Sequence, residues 1–167
     1  SVFMKHSEGL EWAVHACTLL AALPPAIALP ARLLAEFFEL PEPYLAKQMQ
    51  KLSRAGIVET RRGPRGGYAL ARLAAEITLL QMVEAIDGAE RHFRCSEIRR
   101  CGPSAVPGAK YTKPCGIARS MWRAEAAWRQ ELARVTLAEI HQTGLAETPP
   151  DQTAKALAWF QEKLHQD

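Results

Sequence analysis

Apolar residues recur at intervals of three and four along most of this chain, and the spacing predicts mainly α-helical structure. The first half contains four such stretches, over residues 8–23, 30–38, 42–54 and 78–88. Prolines follow the first stretch and a glycine follows the third, as is typical of residues that end helices. The sequence therefore predicts four helices before residue 89.

The pattern changes between the third and fourth helices. The segments IVETRR and GYALAR alternate apolar and polar residues, and GPRGG stands between them. Alternation around a glycine-rich turn predicts a β-hairpin. Two helices joined by a short link and followed by a hairpin with a basic tip are typical of a winged helix-turn-helix. We place this predicted module in residues 30–72.

The longest predicted helix covers residues 116–134, and its apolar positions follow a near-heptad stripe. Ile117, Met121 and Trp128 lie on this stripe, and we expect them to form a dimer interface. Packing of the stripe onto the chain's own winged helix is the alternative. A short helix (TLAEIHQ), a linker (TGLAETPP) and a final helix over 151–165 are predicted to follow.

These elements predict a mainly α fold in four consecutive segments. The first is a winged helix-turn-helix DNA-binding domain with a small β-hairpin wing, and the second is an irregular loop with three cysteines. The third is a long C-terminal dimerisation helix, and a linker with a C-terminal helix is the fourth. The predicted boundaries are 4–88, 89–115, 116–141 and 142–167.

Charge adds a candidate partner to this picture. The 167-residue chain is 48% hydrophobic with a net charge of +3, so it has enough apolar residues for a core. Between residues 44 and 72, seven basic residues stand against one acid. Such a local excess predicts a site for double-stranded DNA, with a solvated basic face as the alternative.

Side chains of the third helix and of the hairpin are the candidate DNA contacts. Lysine, glutamine and arginine donate hydrogen bonds to base edges or phosphates, and a tyrosine hydroxyl reaches a phosphate. A half-buried ring that supports the helix is the alternative role for the tyrosine. The predicted contacts are Tyr44, Lys47, Gln48, Lys51, Arg61, Arg62 and Arg65.

The chain has no apolar run of about 20 residues and no signal peptide at its start, which predicts a cytoplasmic protein with no membrane partner. In that compartment cysteines are more often thiols or metal ligands than disulfides. Cys17 shares an apolar helical stripe and is expected in the core. No nucleophile–base pair or phosphate-binding loop occurs, so we predict that the chain is not an enzyme.

The segment YLAKQMQKLSRAGIVETRRGPRGGYALAR, followed by EITLLQMVEAIDG, resembles the Rrf2 family of winged-helix regulators. The resemblance extends from about Met4 to Ile140. It implies a homodimer held by the long helix, operator DNA as the partner and, in many members, an iron–sulfur cluster near the start of that helix. The wing arginine of the family's RGP motif falls on Arg62.

Three further segments, EWAVH, CSEIR and YTKPCGIARSM, resemble the RsrR-type redox sensors within this family. That resemblance implies a [2Fe–2S] cluster with Glu11, His15, Cys95 and Cys115 as ligands, the first helix ligating across the dimer. The i, i+4 spacing of Glu11 and His15 places both on one helix face. A thiol pair that forms a disulfide is the alternative for the two cysteines.

Cys101 is a possible additional ligand, because C-x5-C matches the first cysteine spacing of other cluster-binding members; a free, exposed thiol is the alternative. The sequence thus predicts a dimeric transcriptional regulator, a repressor, that senses redox state through an iron–sulfur cluster. Such clusters are labile in air. The alternative is a regulator of the same fold without a cluster, sensing through cysteine thiols or a small molecule.

Overall fold

A computed structural model describes residues 6–106 and 111–166 of the chain. It divides into two compact parts. The winged-helix part contains residues 6–89 and 132–166, and the cysteine part contains the described residues between 90 and 131. In both, the described elements are helical apart from one β-hairpin, which confirms the predicted fold class.

Three helices form the base of the winged-helix part: α1 (Glu8–Ala22), α2 (Ala31–Phe38) and α3 (Glu42–Arg54). The third helix ends at Arg54, and Ala55 and Gly56 follow it as the predicted stop, since Gly56 has a φ of 72°, in the left-handed region that glycine adopts easily. The buried faces of these helices share one apolar core with the hairpin. Fully or nearly fully buried members include Ala13, Cys17, Leu34, Leu45, Met49, Leu52 and Ile57.

The wing consists of β1 (Val58–Arg61) and β2 (Gly67–Leu70), paired antiparallel with Val58 opposite Leu70. The segment before α2 pairs with β2, because Leu29 and Tyr68 exchange backbone hydrogen bonds of 2.9 and 2.7 Å. Gly67 has φ 143°, and a Cβ there would collide with the backbone of Leu29. Only glycine therefore allows the wing to lie this close to the helical base.

Two helix starts tie the C-terminal region to the base. Thr78 caps α4 (Leu79–Asp87) and Thr136 caps α6 (Leu137–Glu147), each with a reciprocal capping box. The two caps also pair with each other, because Leu79 N–H donates to Val135 O and Leu137 N–H donates to Ile77 O, both at 2.8 Å. This pairing fixes where α6 begins on the winged-helix part.

The C-terminal helices differ from the prediction. Residues 143–147 were expected in a linker, but α6 continues to Glu147 and α7 (Pro150–Gln166) starts three residues later. The capping box and the burial of Leu137 stabilise α6, and Pro149 ends it. Phe160 of α7 is 1% exposed in the core. The C-terminal helices therefore belong to the winged-helix part and do not form a separate segment.

The cysteine part consists of an irregular segment and most of α5 (Gly116–Arg134), whose bounds agree with the predicted long helix. A 3-10 turn, Ile98–Arg100, interrupts the irregular segment. Across 6–106 and 111–166, no helix has the length and apolar content needed to cross a membrane.

Candidate functional site

The outer face of α3 presents the side chains that are free to reach a ligand. Tyr44 is 59% exposed, so its ring does not serve as a half-buried support, and Lys47 is exposed one turn later. Gln50 and Arg54 continue the exposed face at i+3 and i+7 from Lys47. Neither was among the predicted contacts, although their helical spacing from Lys47 was visible in the sequence.

Gln48 was predicted to contact DNA, and the structure contradicts this. Its side chain is only 9% exposed and points into the protein against Gly9 of α1, where a Cβ would lie 2.6 Å from Gln48 Cδ. The Oε1 atom has no hydrogen-bond partner among the described residues. Gln48 follows Lys47 by one residue, which rotates it about 100° around the helix and away from the exposed face.

Two of the basic side chains predicted to contact DNA already have partners within the protein. Lys51 is half-buried, and its Nζ donates to Ile86 O at 3.2 Å, at the end of α4. Arg61 donates to Pro25 O at 2.7 Å and forms an ion pair with Glu59 at 3.1 Å. Lys51 thus joins α3 to α4, and Arg61 joins the wing to the segment after α1, so neither side chain is as freely available as those on the outer face of α3.

The wing tip carries the remaining predicted contacts. Arg62 and Arg65 are both exposed in the turn between β1 and β2. The turn is closed by a hydrogen bond from Gly66 N–H to Gly63 O, and Gly63 has φ 101°. A tight turn on a short hairpin holds two guanidinium groups at the end of the wing, as contact with a phosphate backbone requires.

Glu11 and His15 lie on α1, and both are exposed. The His15 ring contacts Phe38 of α2, with 5.9 Å between ring centroids. Both residues belong to the winged-helix part, whereas Cys95 and Cys115 belong to the cysteine part. Among the described residues of one chain, no group of three His, Cys, Asp or Glu side chains is arranged to hold a metal ion.

Cys95 and Cys115 form a pair in the cysteine part. Their Sγ atoms are 3.9 Å apart, and both side chains are half-buried. Cys115 immediately precedes α5, and Ala118 N–H donates to its sulfur at 3.4 Å. Twenty residues of sequence separate these two thiols, so the pairing is a result of the fold and not of local spacing.

The position of Cys115 favours its thiolate. Its pKa is lowered chiefly by the hydrogen bond from Ala118 N–H. The Cys95 thiol, Ile117 N–H and the charge of Arg99 lower the pKa further, against the opposing effect of partial desolvation. A cysteine at a helix N-terminus next to a cation is the usual arrangement of a reactive or metal-ligating thiol.

Arg99 organises the loop beside this thiol. It pairs with Glu97 and donates to Lys113 O at 3.1 Å, while its guanidinium lies 4.1 Å from the Tyr111 ring centroid. The hydrogen bond from Arg99 lowers the pKa of Glu97, which stays ionised. This network joins the 3-10 turn to the residues that lead into Cys115.

The sulfur separation provides a test of metal binding. Two thiolates bound to one tetrahedral metal at about 2.3 Å lie about 3.8 Å apart. The observed 3.9 Å between Cys95 and Cys115 agrees with that value without movement of either residue. A disulfide requires about 2.05 Å and therefore a further approach of the sulfurs. The pair fits one iron of a cluster directly and a disulfide after a small shift.

The other two cysteines have different surroundings. Cys101 is exposed just after the 3-10 turn. Cys17 is fully buried in the core, as predicted, and burial raises its pKa to about 12. Cys17 therefore has no role as a surface thiol.

The predicted dimer stripe on α5 is partly exposed. Ile117 is 71% and Met121 44% exposed, which is unusual for large apolar side chains on one helix face. Trp128 differs, because it is half-buried and its ring contacts His92 of the same chain at 5.8 Å. The exposed apolar surface is thus concentrated in the first two turns of α5.

Comparison with known proteins agrees with this fold. Residues 6–143 match the model of the family described as Rrf2, iron-dependent transcriptional regulator. Rv1287 of Mycobacterium tuberculosis, named as an HTH-type transcriptional regulator, is 30% identical over 145 residues, which cover 86% of this chain and 85% of that protein. These similarities agree with the prediction that the chain is not an enzyme.

Another relative, YwgB of Bacillus subtilis, also named as an HTH-type transcriptional regulator, is 34% identical over 85 residues. That alignment covers 51% of this chain, and it spans only about half of YwgB, 54% of its length.

Two solved structures share the fold. IscR of T. potens superimposes with a TM-score of 0.64 and 23% identity, covering 87% of this chain and 93% of that one. CymR of B. subtilis, described as the global cysteine regulator, gives a TM-score of 0.63 and 22% identity, with coverage of 84% and 98%.

Proposed function

Because this chain belongs to the Rrf2 family of transcriptional regulators, we propose that it is a dimeric DNA-binding repressor that senses redox state through an iron–sulfur cluster. The observation that carries the sensing proposal is the Cys95–Cys115 pair, with a sulfur separation of 3.9 Å at the start of α5. The exposed basic face of α3 and the wing tip support DNA binding.

The DNA-binding surface consists of α3 and the wing. A helix of this kind enters the major groove, where base edges differ in their donors and acceptors. Lys47, Gln50 and Arg54 supply the polar groups on the exposed face of α3, and Tyr44 reaches a phosphate from its first turn. Arg62 and Arg65 at the wing tip add contacts to the backbone or the minor groove.

The cluster is proposed to be bound by two cysteines and two residues of α1. Cys95 and Cys115 suit one iron because of their sulfur separation. Glu11 and His15 are proposed for the other iron; both are exposed on α1, and the family resemblance implies that the first helix ligates across the dimer. A bound [2Fe–2S] cluster would supply a one-electron change in charge at the subunit interface. Such a change would bias the dimer between arrangements that bind and do not bind operator DNA.

The dimer is proposed to form through α5. Ile117 and Met121 provide exposed apolar surface that association removes from water. Both lie within six residues of Cys115 at the same end of the helix. The same short segment therefore carries the interface and one of the two thiols, so a change at the thiols alters the packing of the dimer.

Thiol sensing without a cluster is the second candidate function, and the same pair favours it. The lowered pKa of Cys115 increases its thiolate fraction, and Cys95 is the adjacent resolving thiol. An oxidant that accepts two electrons converts the two thiols to a disulfide with release of two protons. The two functions differ in whether iron is bound.

Purification without oxygen followed by iron and sulfide analysis separates the two candidates. We expect a coloured protein with visible absorbance typical of [2Fe–2S], and we expect Cys95→Ser and Cys115→Ser to lose that colour. Cys101→Ser tests the possible extra ligand. A colourless, iron-free wild-type protein that forms a Cys95–Cys115 disulfide would overturn the cluster proposal and support thiol sensing.

A further inference from the structure

A buried acid on α5 has no evident role in either DNA binding or sensing. Glu125 is only 6% exposed, and its Oε1 accepts a hydrogen bond of 2.6 Å from Phe93 N–H. Its Oε2 has no partner among the described residues. Burial of a carboxylate with one unpaired oxygen lowers the stability of the fold. We therefore expect Glu125 to have a role that offsets this cost.

Glu125 acts together with Trp122, one turn earlier on α5. The indole Nε1 of Trp122 donates to Phe93 O at 3.0 Å. Both backbone polar groups of Phe93 are therefore bound by side chains of α5. Further along the helix, Arg129 donates to Glu90 O at 3.1 Å, and the Arg91 guanidinium lies 4.5 Å from the Trp122 ring centroid.

These contacts show that residues 90–93 run along one face of α5 towards its N-terminus. Arg129 binds the backbone of Glu90, and Trp122 and Glu125 bind the backbone of Phe93. The Cys95 sulfur then lies beside Cys115. Cys95 is the second residue after Phe93, so their Cα atoms are at most about 7 Å apart in a fully extended chain. The location of Phe93 thus limits where the Cys95 sulfur can lie.

We propose that Glu125 and Trp122 are positioning residues for the Cys95–Cys115 pair. By binding the Phe93 backbone they hold Cys95 opposite Cys115, and they thereby raise the effective concentration of one thiol at the other. This inference rests on the proposed function only in taking the two cysteines as the sensing pair. It applies equally to a metal ion and to a disulfide that joins the two sulfurs.

The test measures the thiol–disulfide equilibrium of the full-length, metal-free protein in glutathione buffers. Two thiols of the protein transfer two electrons to glutathione disulfide, which gives one Cys95–Cys115 disulfide and two molecules of reduced glutathione. Mass spectrometry of alkylated peptides identifies the pair and its oxidised fraction. The equilibrium constant reports the effective concentration of the two thiols.

We expect Glu125→Ala and Trp122→Phe each to lower this constant by about tenfold, because each removes one bond to Phe93 and frees the Cys95 segment. Glu125→Gln keeps an acceptor oxygen in place and is expected to restore the constant to within about threefold of wild type. Trp159→Phe is the matched control, since that ring belongs to the winged-helix part and contacts Phe37 and Phe160.

Wild-type constants in both Glu125→Ala and Trp122→Phe would overturn the proposal. An equilibrium constant as low in Glu125→Gln as in Glu125→Ala would also overturn it, because the glutamine still offers an acceptor oxygen to Phe93 N–H. If Glu125→Ala fails to fold by circular dichroism, Trp122→Phe decides the question. The assay contains no iron and no DNA, so absence of a cluster in the purified protein leaves its outcome unaffected.

Discussion

The side-chain amide of Gln48 in α3 lies against Gly9 in α1, so closely that a Cβ on Gly9 would come within 2.6 Å of Gln48 Cδ. This contact fixes the rotation of α3 about its own axis and turns Lys47 outwards. The same helix α1 carries Glu11 and His15 two and six residues after Gly9. The helix proposed to read DNA is therefore packed directly on the helix proposed to ligate the cluster.

Replacement of Gln48 by methionine tests its buried role. Methionine fills a similar volume without an unpaired amide oxygen, so we expect stability equal to wild type or slightly higher. Operator affinity should stay within about threefold, because Gln48 does not face the groove. Fluorescence anisotropy with operator DNA and thermal unfolding provide the two measurements.

Lys47→Ala is the matched variant on the exposed face of α3. We expect it to weaken operator binding by about 1–3 kcal/mol and to leave the unfolding temperature nearly unchanged. A loss of affinity in Gln48→Met as large as that in Lys47→Ala, with normal stability, would return Gln48 to the DNA-binding surface.

The wing arginines should contribute through phosphate contacts. Arg62→Ala and Arg65→Ala are expected to weaken binding to operator and to unrelated DNA alike, and to reduce the slope of log affinity against log salt by about 0.9 each. Titrations at several stated salt concentrations measure the slope. Lys155→Ala, which removes an exposed charge from α7, should leave it unchanged; an equal decrease there would indicate a general charge effect instead of a wing contact.

The exposed end of α5 should hold the dimer together. Ile117→Lys or Met121→Lys places a charge in the proposed interface, and we expect either change to yield monomers at micromolar concentration. Light scattering after size-exclusion chromatography measures the mass. Leu145→Lys, at a 47% exposed leucine of α6, is the control and should remain dimeric. Dimers in both α5 variants would place the interface elsewhere.

The cysteines should differ in their reaction with a maleimide under native conditions. Cys101 is expected to react because it is exposed and Cys115 because its pKa is lowered, whereas Cys17 is fully buried and should react only after unfolding. Peptide mapping of the metal-free, reduced protein identifies each labelled site over time. Rapid native labelling of Cys17 would show that the core opens far more readily than its packing implies.

Local sequence patterns sufficed for the winged helix, because its elements depend on short-range signals. Periodicity, glycine and proline predict the bounds of α3 and α5, the turn at GPRGG and the helix stop at Gly56 after α3. The predicted length of α6 was too short, because the linker prediction gave weight to Gly144 and to the following prolines. The capping box at Thr136 and the burial of Leu137 outweigh the helix penalty of that glycine.

The candidate sites depended on tertiary packing to a greater degree. Gln48 and Lys47 are adjacent and both polar, and only the approach of Gly9 shows which of them faces inwards. The partner of Lys51 at the end of α4 lies 35 residues away and leaves no local signal. The burial of Glu125 was also not predictable, because a single acid in a helix usually lies on the solvent-exposed face.

Operator affinity in two redox states tests the central claim that the Cys95–Cys115 pair controls the winged helix. Anisotropy titrations under anaerobic conditions compare reduced and oxidised wild-type protein with the Cys95→Ser/Cys115→Ser variant at fixed salt. We predict that the affinity of the wild type differs by at least about tenfold between the two states, as a coupling of roughly 1.4 kcal/mol gives, and that the variant shows no difference. Equal affinity of the wild type in both states, or an undiminished response in the variant, would contradict the account.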